Sequence, residues 1–451
     1  MSTDRTKRKG NTGVDGEISA HPAKKIKVIP LEGTTNTDTT SDPPSDPSST
    51  VDTLSLHDLL DFSSLEDESA ISSRFDVIAR VLMHEYQLVV SHDGKETAFE
   101  IQEMEFYLRK AGHHEDPFTH GSEEQKVSGR WYFHRSPRRS NDASRSSTSL
   151  TSYRGGTRKG LDLTIGNPLP HAVSPHFSQP GKSSALSDTA GQKNQAKSSE
   201  HLRGGILLRS LRSLGKNGTI DANPKPNSVY GPSLLVDKIL SLSGASSIPE
   251  LVETMWGGDT SALNPPNPSL SSRTSFLYLK RATSSARVLP QIHKSPRIGL
   301  DLSHPGTSVP SAQSTTKDLH PRVRFLPKLY RYYTRPVELV KGRPQTLYGF
   351  IHIKLNSRSD SAYRSLSGDL AFRASLTKGT GLKDAPVKKY LAEYDAGRKD
   401  GLKHLKLCIG PSGKGAADSP TTYLKMMGAL DTVVQLSSTS RNAGSSSLEN
   451  T

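Results

Sequence analysis

The sequence is poor in the residues that build large cores and covalent cross-links. Only 32% of its 451 residues are hydrophobic and 6% aromatic, whereas glycine and proline together number 65. Its one cysteine, Cys408, excludes an intramolecular disulfide framework and is typical of a reducing compartment. No apolar run approaches the roughly 20 residues that cross a bilayer, and the N-terminus lacks the apolar segment of a secretory signal. We therefore expect no membrane association.

Segments rich in serine, proline and asparagine interrupt the chain, and such segments bury too little apolar surface to offset chain entropy. We expect one domain at residues 73–350, with disordered inserts at about 137–150, 169–202, 214–228, 260–275 and 303–321. The regions around it are predicted as a disordered tail (1–51), an acidic helix or linker (52–72), a helical extension (351–436) and a disordered end (437–451).

Charge is distributed unevenly along the chain. The formal net charge is +14, with +4 on residues 1–30 and −10 on residues 31–70, which leaves +20 on the remainder. A strongly basic body with a pI near 9.6 is typical of a protein that binds a polyanion. Charge alone does not distinguish DNA from RNA, although no RRM or KH signature is present.

Two short basic clusters, at 7–9 and 24–27, have the spacing of a bipartite nuclear import signal. The alternative is an ordinary basic arm. The prediction is a nuclear protein that binds an import receptor. Further along, "LHDLL" at 56–60 fits either a short helix docked on the domain edge or a partner-binding motif.

The stretch "EMEFYL" alternates as a strand does, with Met104, Phe106 and Leu108 on one face. Glu103, Glu105 and Tyr107 fall on the other face, which is either a solvated surface or the wall of an active site. The strand returns from a hairpin with Asp93-Gly94 at its tip, and a helix that runs into a strand precedes that hairpin.

Further strands are predicted near 129–135, 159–166 and 204–211, and Pro232 begins a helix. More structure is expected at 276–282, 295–302 and 329–340, and a helix at 385–405. The predicted fold is therefore mixed α/β, a single domain around a curved, largely antiparallel sheet.

Several kinds of chemistry have little support in the sequence. The histidines of "HHEDPFTH" lack a second cluster that would complete a zinc site. "GPSGKG" at 410–415 lacks the spacing of a phosphate-binding P-loop. No G-x-S-x-G motif indicates a serine hydrolase.

The order of the segments carries more information than any one of them. In sequence order, "IARVLMHEYQLVV", "DGKET", "EMEFYL", "DPFTH", "LDLT", "GGILLRSL", "GPSLLVDKIL", "SPRIGLDL" and "YRYYTRP" resemble segments of the alkyladenine (3-methyladenine) DNA glycosylase family. That family has a helix and strand, a DG or NG hairpin, E-T-E-A-Y-L, a DxxxH-like segment, an N-I-S-type strand, V-L-L-R-A-L, G-P-S-x-L, R-I-G and R-F-Y. The resemblance spans about residues 75–335.

The resemblance implies a role for each matched position. Glu105 matches the glutamate that activates the attacking water, with Glu103 as the comparison residue. Tyr107 and His120 match aromatic residues around the flipped base, and Arg209 matches an arginine beside the catalytic site. Asp162 replaces an asparagine that helps to discriminate bases, which leaves the choice of substrate open.

Two further sets of residues are assigned around the hairpin that the 137–150 insert alters. Tyr153 is the first candidate for the side chain that intercalates into DNA, and Tyr132 is the second. The candidates for phosphate contacts, which an ordinary solvated basic surface would equally explain, are Arg130, Arg135, Arg154, Arg158 and Lys159.

The resemblance thus implies a monomeric DNA N-glycosylase that flips alkylated or deaminated purines out of double-stranded DNA and needs no metal or other cofactor. A non-catalytic nuclear DNA-binding protein with the same fold is the alternative. A basic RNA-binding protein is a third possibility.

Overall fold

The structure of the protein, a computed structural model, describes residues 54–136, 152–168, 202–215, 228–263, 273–282, 289–311, 314, 318–357, 365–411, 413 and 419–445. The basic clusters at 7–9 and 24–27 lie outside these residues. So do the predicted inserts, wholly or largely, except 303–321, most of which is described.

The described residues include nine α-helices and ten β-strands. The helices are α1 (Leu56–Leu59), α2 (Glu68–His84), α3 (Pro232–Leu242), α4 (Pro321–Phe325), α5 (Arg343–Asn356), α6 (Leu370–Thr380), α7 (Asp384–Lys399), α8 (Gly401–Lys406) and α9 (Pro420–Ser445). The strands are β1 (Tyr86–His92), β2 (Lys95–Lys110), β3 (His114–Glu115), β4 (Trp131–Phe133), β5 (Leu161–Ile165), β6 (Arg203–Ser213), β7 (Ser228–Tyr230), β8 (Ser275–Arg281), β9 (His293–Ser295) and β10 (Arg331–Tyr333).

The strands form one sheet in the order β4-β5-β6-β2-β1-β8, and each pairing between them is antiparallel. The long strand β2 is central: β1 pairs with its first half and β10 with its second half, on the same edge. The predicted mixed α/β fold around a largely antiparallel sheet is confirmed.

A tight turn between β1 and β2 starts the central strand. Asp93 and Gly94 have φ values of 47° and 75°, the left-handed region that a two-residue hairpin of this kind requires. The predicted hairpin and its returning strand are therefore confirmed.

The core-facing positions of β2 change parity along the strand. Phe99 and Ile101 lie in the core first, and Met104, Phe106 and Leu108 follow. The pairing with β6 shifts register on both sides of Glu103, which absorbs the change. The alternation from Met104 onward was correctly predicted, whereas the irregularity before it was not.

Two hydrophobic clusters organise the described residues. The first lies between α2 and the sheet, where Phe75 stacks on Phe106 with ring centroids 4.5 Å apart. The second is built mainly by α5, α6, α7 and α9. The domain boundaries that the sequence predicted at 72/73 and 350/351 fall inside α2 and α5. Amphipathic periodicity locates a helix better than it locates the helix ends.

Within the described ranges, no helix has both the length and the apolar character needed to cross a bilayer.

Candidate active site

Five strands contribute side chains to one face of the sheet in a single row. Tyr132 pairs with Asp162, Asp162 with Leu207, Leu207 with Glu105, and Glu105 with Arg331. Directly paired residues project from the same face of a sheet. Glu105 and Asp162 therefore lie on one face, two strands and roughly 10 Å apart.

Glu105 is completely buried, so its carboxylate does not lie on a solvated surface. Its Oε2 accepts hydrogen bonds from the Tyr107 hydroxyl at 2.8 Å and from Arg209 Nη1 at 3.2 Å. Its Oε1 accepts one from the backbone N–H of Ile298 at 2.7 Å. These donors come from three separate segments and fix the carboxylate in one orientation.

Glu103 is also buried and connects two arginines. Its Oε1 accepts hydrogen bonds from Arg331 Nε at 2.7 Å and Arg209 Nε at 3.2 Å, and its Oε2 accepts one from the Ser210 hydroxyl at 2.6 Å. Burial alone raises the pKa of Glu103, but the two guanidinium charges and Ser210 outweigh it and hold the pKa below its ordinary value. Glu103 therefore positions Arg209 for Glu105 and is unsuitable as a neutral comparison residue.

Arg209 lies between the two carboxylates and is 7% exposed. Burial lowers the pKa of its guanidinium, yet Glu105 and Glu103 together raise it above the ordinary value. Arg209 is thus permanently charged, and its single positive charge pairs with two buried carboxylates, those of Glu103 and Glu105.

A second buried ion pair, between Arg297 and Asp116, lies against the ring of Tyr107. The Arg297 guanidinium lies 4.5 Å from the centre of the Tyr107 ring, and its Nη2 donates to Asp116 Oδ1 at 3.1 Å. Both partners of this pair are fully buried. Burial, and then the Glu105 charge, raise the pKa of Tyr107 well above its ordinary value, so its hydroxyl stays protonated and donates.

His120 and Asp162 both contact His134, a residue to which the sequence analysis assigned no role. His134, which follows β4, donates through Nε2 to Asp162 Oδ1 at 2.8 Å, and its ring lies 4.5 Å from the ring of His120. Burial lowers the pKa of His120 to about 4, and the neighbouring His134 lowers it further than the Asp162 charge raises it. His120 is therefore a neutral aromatic ring at pH 7.

The Asp162 side chain occupies the space over a glycine of β6. Gly205 pairs with Tyr107 across the sheet, and a Cβ at Gly205 would lie 2.7 Å from Asp162 Oδ2 and 3.0 Å from Gln125 Nε2. Gln125 Nε2 donates to that same Oδ2 at 3.1 Å. The Asp162 carboxylate therefore lies directly over Gly205, beside Tyr107.

The two candidates for DNA intercalation do not project from the protein. Tyr132 is only 3% exposed, so in this conformation its ring cannot enter a base stack, and the sequence-based assignment needs correction. Tyr153 is half-buried: Arg135 lies 4.0 Å above its ring and Phe133 packs against its edge. Both rings therefore pack against other side chains of the protein. The segment 137–151, which lies between the two tyrosines in the sequence, is outside the described residues.

Two of the five proposed phosphate contacts are already paired with acids. Arg135 Nη2 lies 2.7 Å from a Glu124 carboxylate oxygen, and Lys159 pairs with Asp237. Pairing fixes these side chains and reduces the charge that they offer to DNA.

The other three candidates differ in exposure. Arg158 is exposed in a short 3-10 helix (Gly156–Arg158), whereas Arg130 and Arg154 are half-buried. Arg154 Nε donates to the backbone carbonyl of Arg135 at 2.8 Å. Arg158 is therefore the cation of this set that solvent reaches most freely.

Sequence reasoning missed several residues that build the site. Arg297 and Arg331 stand in "SPRIGLDL" and "YRYYTRP", which were matched as segments but given no role. His134 follows directly on the "WYF" strand, and that position was the available signal. Gln125 lies in a 3-10 helix between strands, where no periodic pattern marks it. Across the described ranges, no three His, Cys, Asp or Glu side chains cluster closely enough to hold a metal ion.

Comparison with known proteins places the chain in no established family. No family model matches it. It is similar to "Uncharacterized protein L759" of Acanthamoeba polyphaga mimivirus, with 28% identity over 226 residues that cover 50% of this chain and 78% of the viral protein.

Proposed function

We propose that this protein is a monofunctional DNA N-glycosylase that removes damaged purines from double-stranded DNA. The observation that carries the proposal is the buried Glu105 carboxylate, which is fixed by three donors, one of them the Tyr107 hydroxyl. His120 lies further along the same region, where His134 connects it to Asp162. The glycosylase resemblance of the sequence assigned these same residues to catalysis and to the base pocket.

The chemistry follows from the hydrogen-bonding capacity of Glu105. A carboxylate offers about four acceptor positions, and the described partners occupy three of them. The remaining position, on Oε1, suits a water molecule. Glu105 takes a proton from that water as its oxygen bonds to the sugar carbon, and the glycosidic bond breaks with its electrons going to the departing base. The products are a free base and an abasic site.

The aromatic rings that the resemblance assigns to the base pocket suit alkylated purines. These bases are electron-poor or cationic, and they stack favourably on aromatic faces. His120 supplies such a face without a positive charge of its own at pH 7, because its pKa lies at about 4. Tyr107 supplies a second aromatic ring, which the Arg297 guanidinium already approaches at 4.5 Å. Extrusion of the nucleotide costs a few kcal/mol, which is least for damaged or mispaired bases.

The net positive charge of residues 71–451 supports binding to a polyanion such as DNA. The basic clusters at 7–9 and 24–27 support delivery to the nucleus by an import receptor. We propose that it acts there as a monomer.

The test is excision from duplexes that contain 3-methyladenine, ethenoadenine or hypoxanthine, followed by alkaline cleavage at abasic sites. We expect cleavage with the wild type and none with Glu105→Gln. Glu115→Gln is the matched control, because Glu115 is an exposed glutamate on β3, which pairs with the same strand. Thermal melting of each variant separates loss of chemistry from loss of fold.

One observation favours a second candidate, a non-catalytic DNA-binding protein. The Glu105 side chain is 0% exposed, so a water must enter a closed site before it can be activated. Salt-dependent duplex binding with no abasic product from any of the three lesions would establish this candidate and exclude the enzyme.

A further inference from the structure

A cleft lies between helices α2 and α5, beside the short strands β9 and β10. Its volume is about 650 Å³, which is within the range of pockets that hold small molecules. None of the three residues that donate to Glu105 lines it. The cleft is therefore a separate place on the protein from the candidate active site.

Residue spacing directs one face of each helix into this cleft. Asp76 and Arg80 are four residues apart on α2, which places them one turn apart on the same face. Phe350, Ile353 and Lys354 have the corresponding spacing of three and four residues on α5. Two rows of side chains thus border the same space, and each row includes one cation.

The charge on the lining of the cleft is only partly compensated. Its one acid, Asp76, already accepts hydrogen bonds through Oδ1 from Lys294 Nζ at 2.9 Å and from the Tyr332 hydroxyl at 2.6 Å. Within the described parts of the chain, the side chains of Arg80 and Lys354 have neither an ion-pair nor a hydrogen-bond partner. Two positive charges, one on each helix, are therefore left for an anion.

Aromatic rings line the cleft together with these charges. His293 lies between two other rings, with centroids 5.8 Å from Tyr333 and 5.0 Å from Phe350 and interplanar angles of 24° and 30°. Tyr333 is fully buried, whereas His293 and Phe350 are half-buried. Burial lowers the pKa of His293, so its ring is uncharged at pH 7. The lining thus combines neutral aromatic surface with unpaired cations.

We infer that this cleft binds a free nucleoside phosphate, whose phosphates pair with Arg80 and Lys354 and whose base packs against His293 and Phe350. A nucleotide joins a flat aromatic base to a compact polyanion, and the lining offers a complement to each part. The volume suits one molecule of this size. The inference goes beyond the proposed glycosylase function and does not depend on it.

The sheet edge beside the cleft is not open to a peptide. Strand β9 pairs with β10, and α5 lies against its backbone: a Cβ at Gly349 would be 2.2 Å from the Lys294 carbonyl oxygen. A peptide that extended the sheet would need such backbone groups to be free. The cleft therefore suits a ligand that side chains recognise.

The experiment is calorimetric titration of the full-length protein with four probes. ATP carries both parts of the ligand, adenosine carries the base without phosphate, and tripolyphosphate carries the charge without a base. A short single-stranded thymidine oligonucleotide tests whether the nucleotide belongs to a nucleic acid strand.

The variants separate the cleft from the rest of the surface. Arg80→Gln and Lys354→Gln each remove one cation, and Phe350→Leu removes a ring but keeps an apolar side chain. Lys388→Gln is the matched control, because Lys388 is an exposed lysine of α7 that does not line the cleft. Glu105→Gln tests independence from the candidate active site, and melting curves check the fold of each variant.

We expect one ATP per chain, with adenosine and tripolyphosphate each bound at least roughly tenfold more weakly. Each cation variant should weaken ATP binding by roughly tenfold, the value of one charge-assisted hydrogen bond. Phe350→Leu should weaken it by roughly three- to tenfold through lost contact with the base. Lys388→Gln and Glu105→Gln should bind ATP as the wild type does.

Four results would overturn the inference. These are no binding of ATP to the folded wild type, equal affinity for tripolyphosphate and ATP, and ATP binding that no folded cleft variant weakens. The fourth is an oligonucleotide that binds more tightly than ATP and displaces it, since the occupant would then be a nucleic acid strand. None of these results bears on base excision, so the glycosylase proposal stands or falls by its own assay.

Discussion

The clearest quantitative consequence of the site concerns the stability of the fold against acid, through His120. Its imidazole is largely buried beside His134, with Asp162 and Arg154 as the charged neighbours. Burial, then His134 and Arg154, lower its pKa from 6.5 to about 4, against the opposing effect of Asp162. The folded protein therefore resists protonation that the unfolded chain accepts.

The size of the effect follows from linkage between protonation and folding. A histidine with a lowered folded-state pKa contributes its full stability above pH 6.5 and loses it as pH falls towards 4. The complete loss across this window is about 3 kcal/mol, and the part between pH 7 and pH 5 is about 2 kcal/mol. Partial solvent contact of the ring makes these upper values.

The assay compares free energies of unfolding in urea at pH 7 and pH 5 for the wild type, His120→Phe and His120→Gln. Other histidines titrate in all three proteins, so the informative quantity is the difference between wild type and variant. Between pH 7 and pH 5, the free energy of unfolding of each variant should fall by up to about 2 kcal/mol less than that of the wild type. The aromatic and the polar replacement should agree, whatever their stabilities at pH 7. Parallel declines in all three proteins would refute the reasoning.

Two further predictions concern the support of the site. Arg297→Met leaves the Asp116 carboxylate buried without its partner and should cost about 3–5 kcal/mol in urea unfolding, part of which Asp116→Asn restores in the double variant. Gly204→Ala places a Cβ 2.5 Å from the backbone carbonyl oxygen of Tyr107 and should cost about 1–3 kcal/mol by the same measurement. Gly155→Ala meets no atom within 4 Å, and an equal loss in that control would contradict the steric argument.

Periodicity predicted those parts of the fold whose residues alternate or repeat locally. The helix before β1, the hairpin at Asp93-Gly94 and the strands β2, β5 and β6 follow from neighbouring side chains alone. Helices α5, α6 and α9 were not placed individually, because their apolar faces are formed only when they pack together in the second cluster. Propensity is weak where tertiary packing determines the helix.

The burial of Glu103 and Glu105 could not be predicted from the local sequence pattern. By spacing alone, two glutamates on the polar face of a strand are most simply solvated. Arg331 and Arg209 neutralise Glu103 from sequence distances of 228 and 106 residues, which no local window contains. The order of the segments identified the face, and only the three-dimensional contacts explain why the acids tolerate burial.

The hydrogen-bond network around the proposed catalytic carboxylate extends to a helix that follows the segments resembling a glycosylase. Thr346, in α5, accepts a hydrogen bond from Arg331 Nη1 at 3.0 Å. Arg331 in turn holds Glu103, Glu103 holds Arg209, and Arg209 donates to Glu105. Each step is a buried, charge-assisted contact, and such contacts lose their value when one partner is missing. Helix α5 therefore forms the outer end of the network that fixes Glu105.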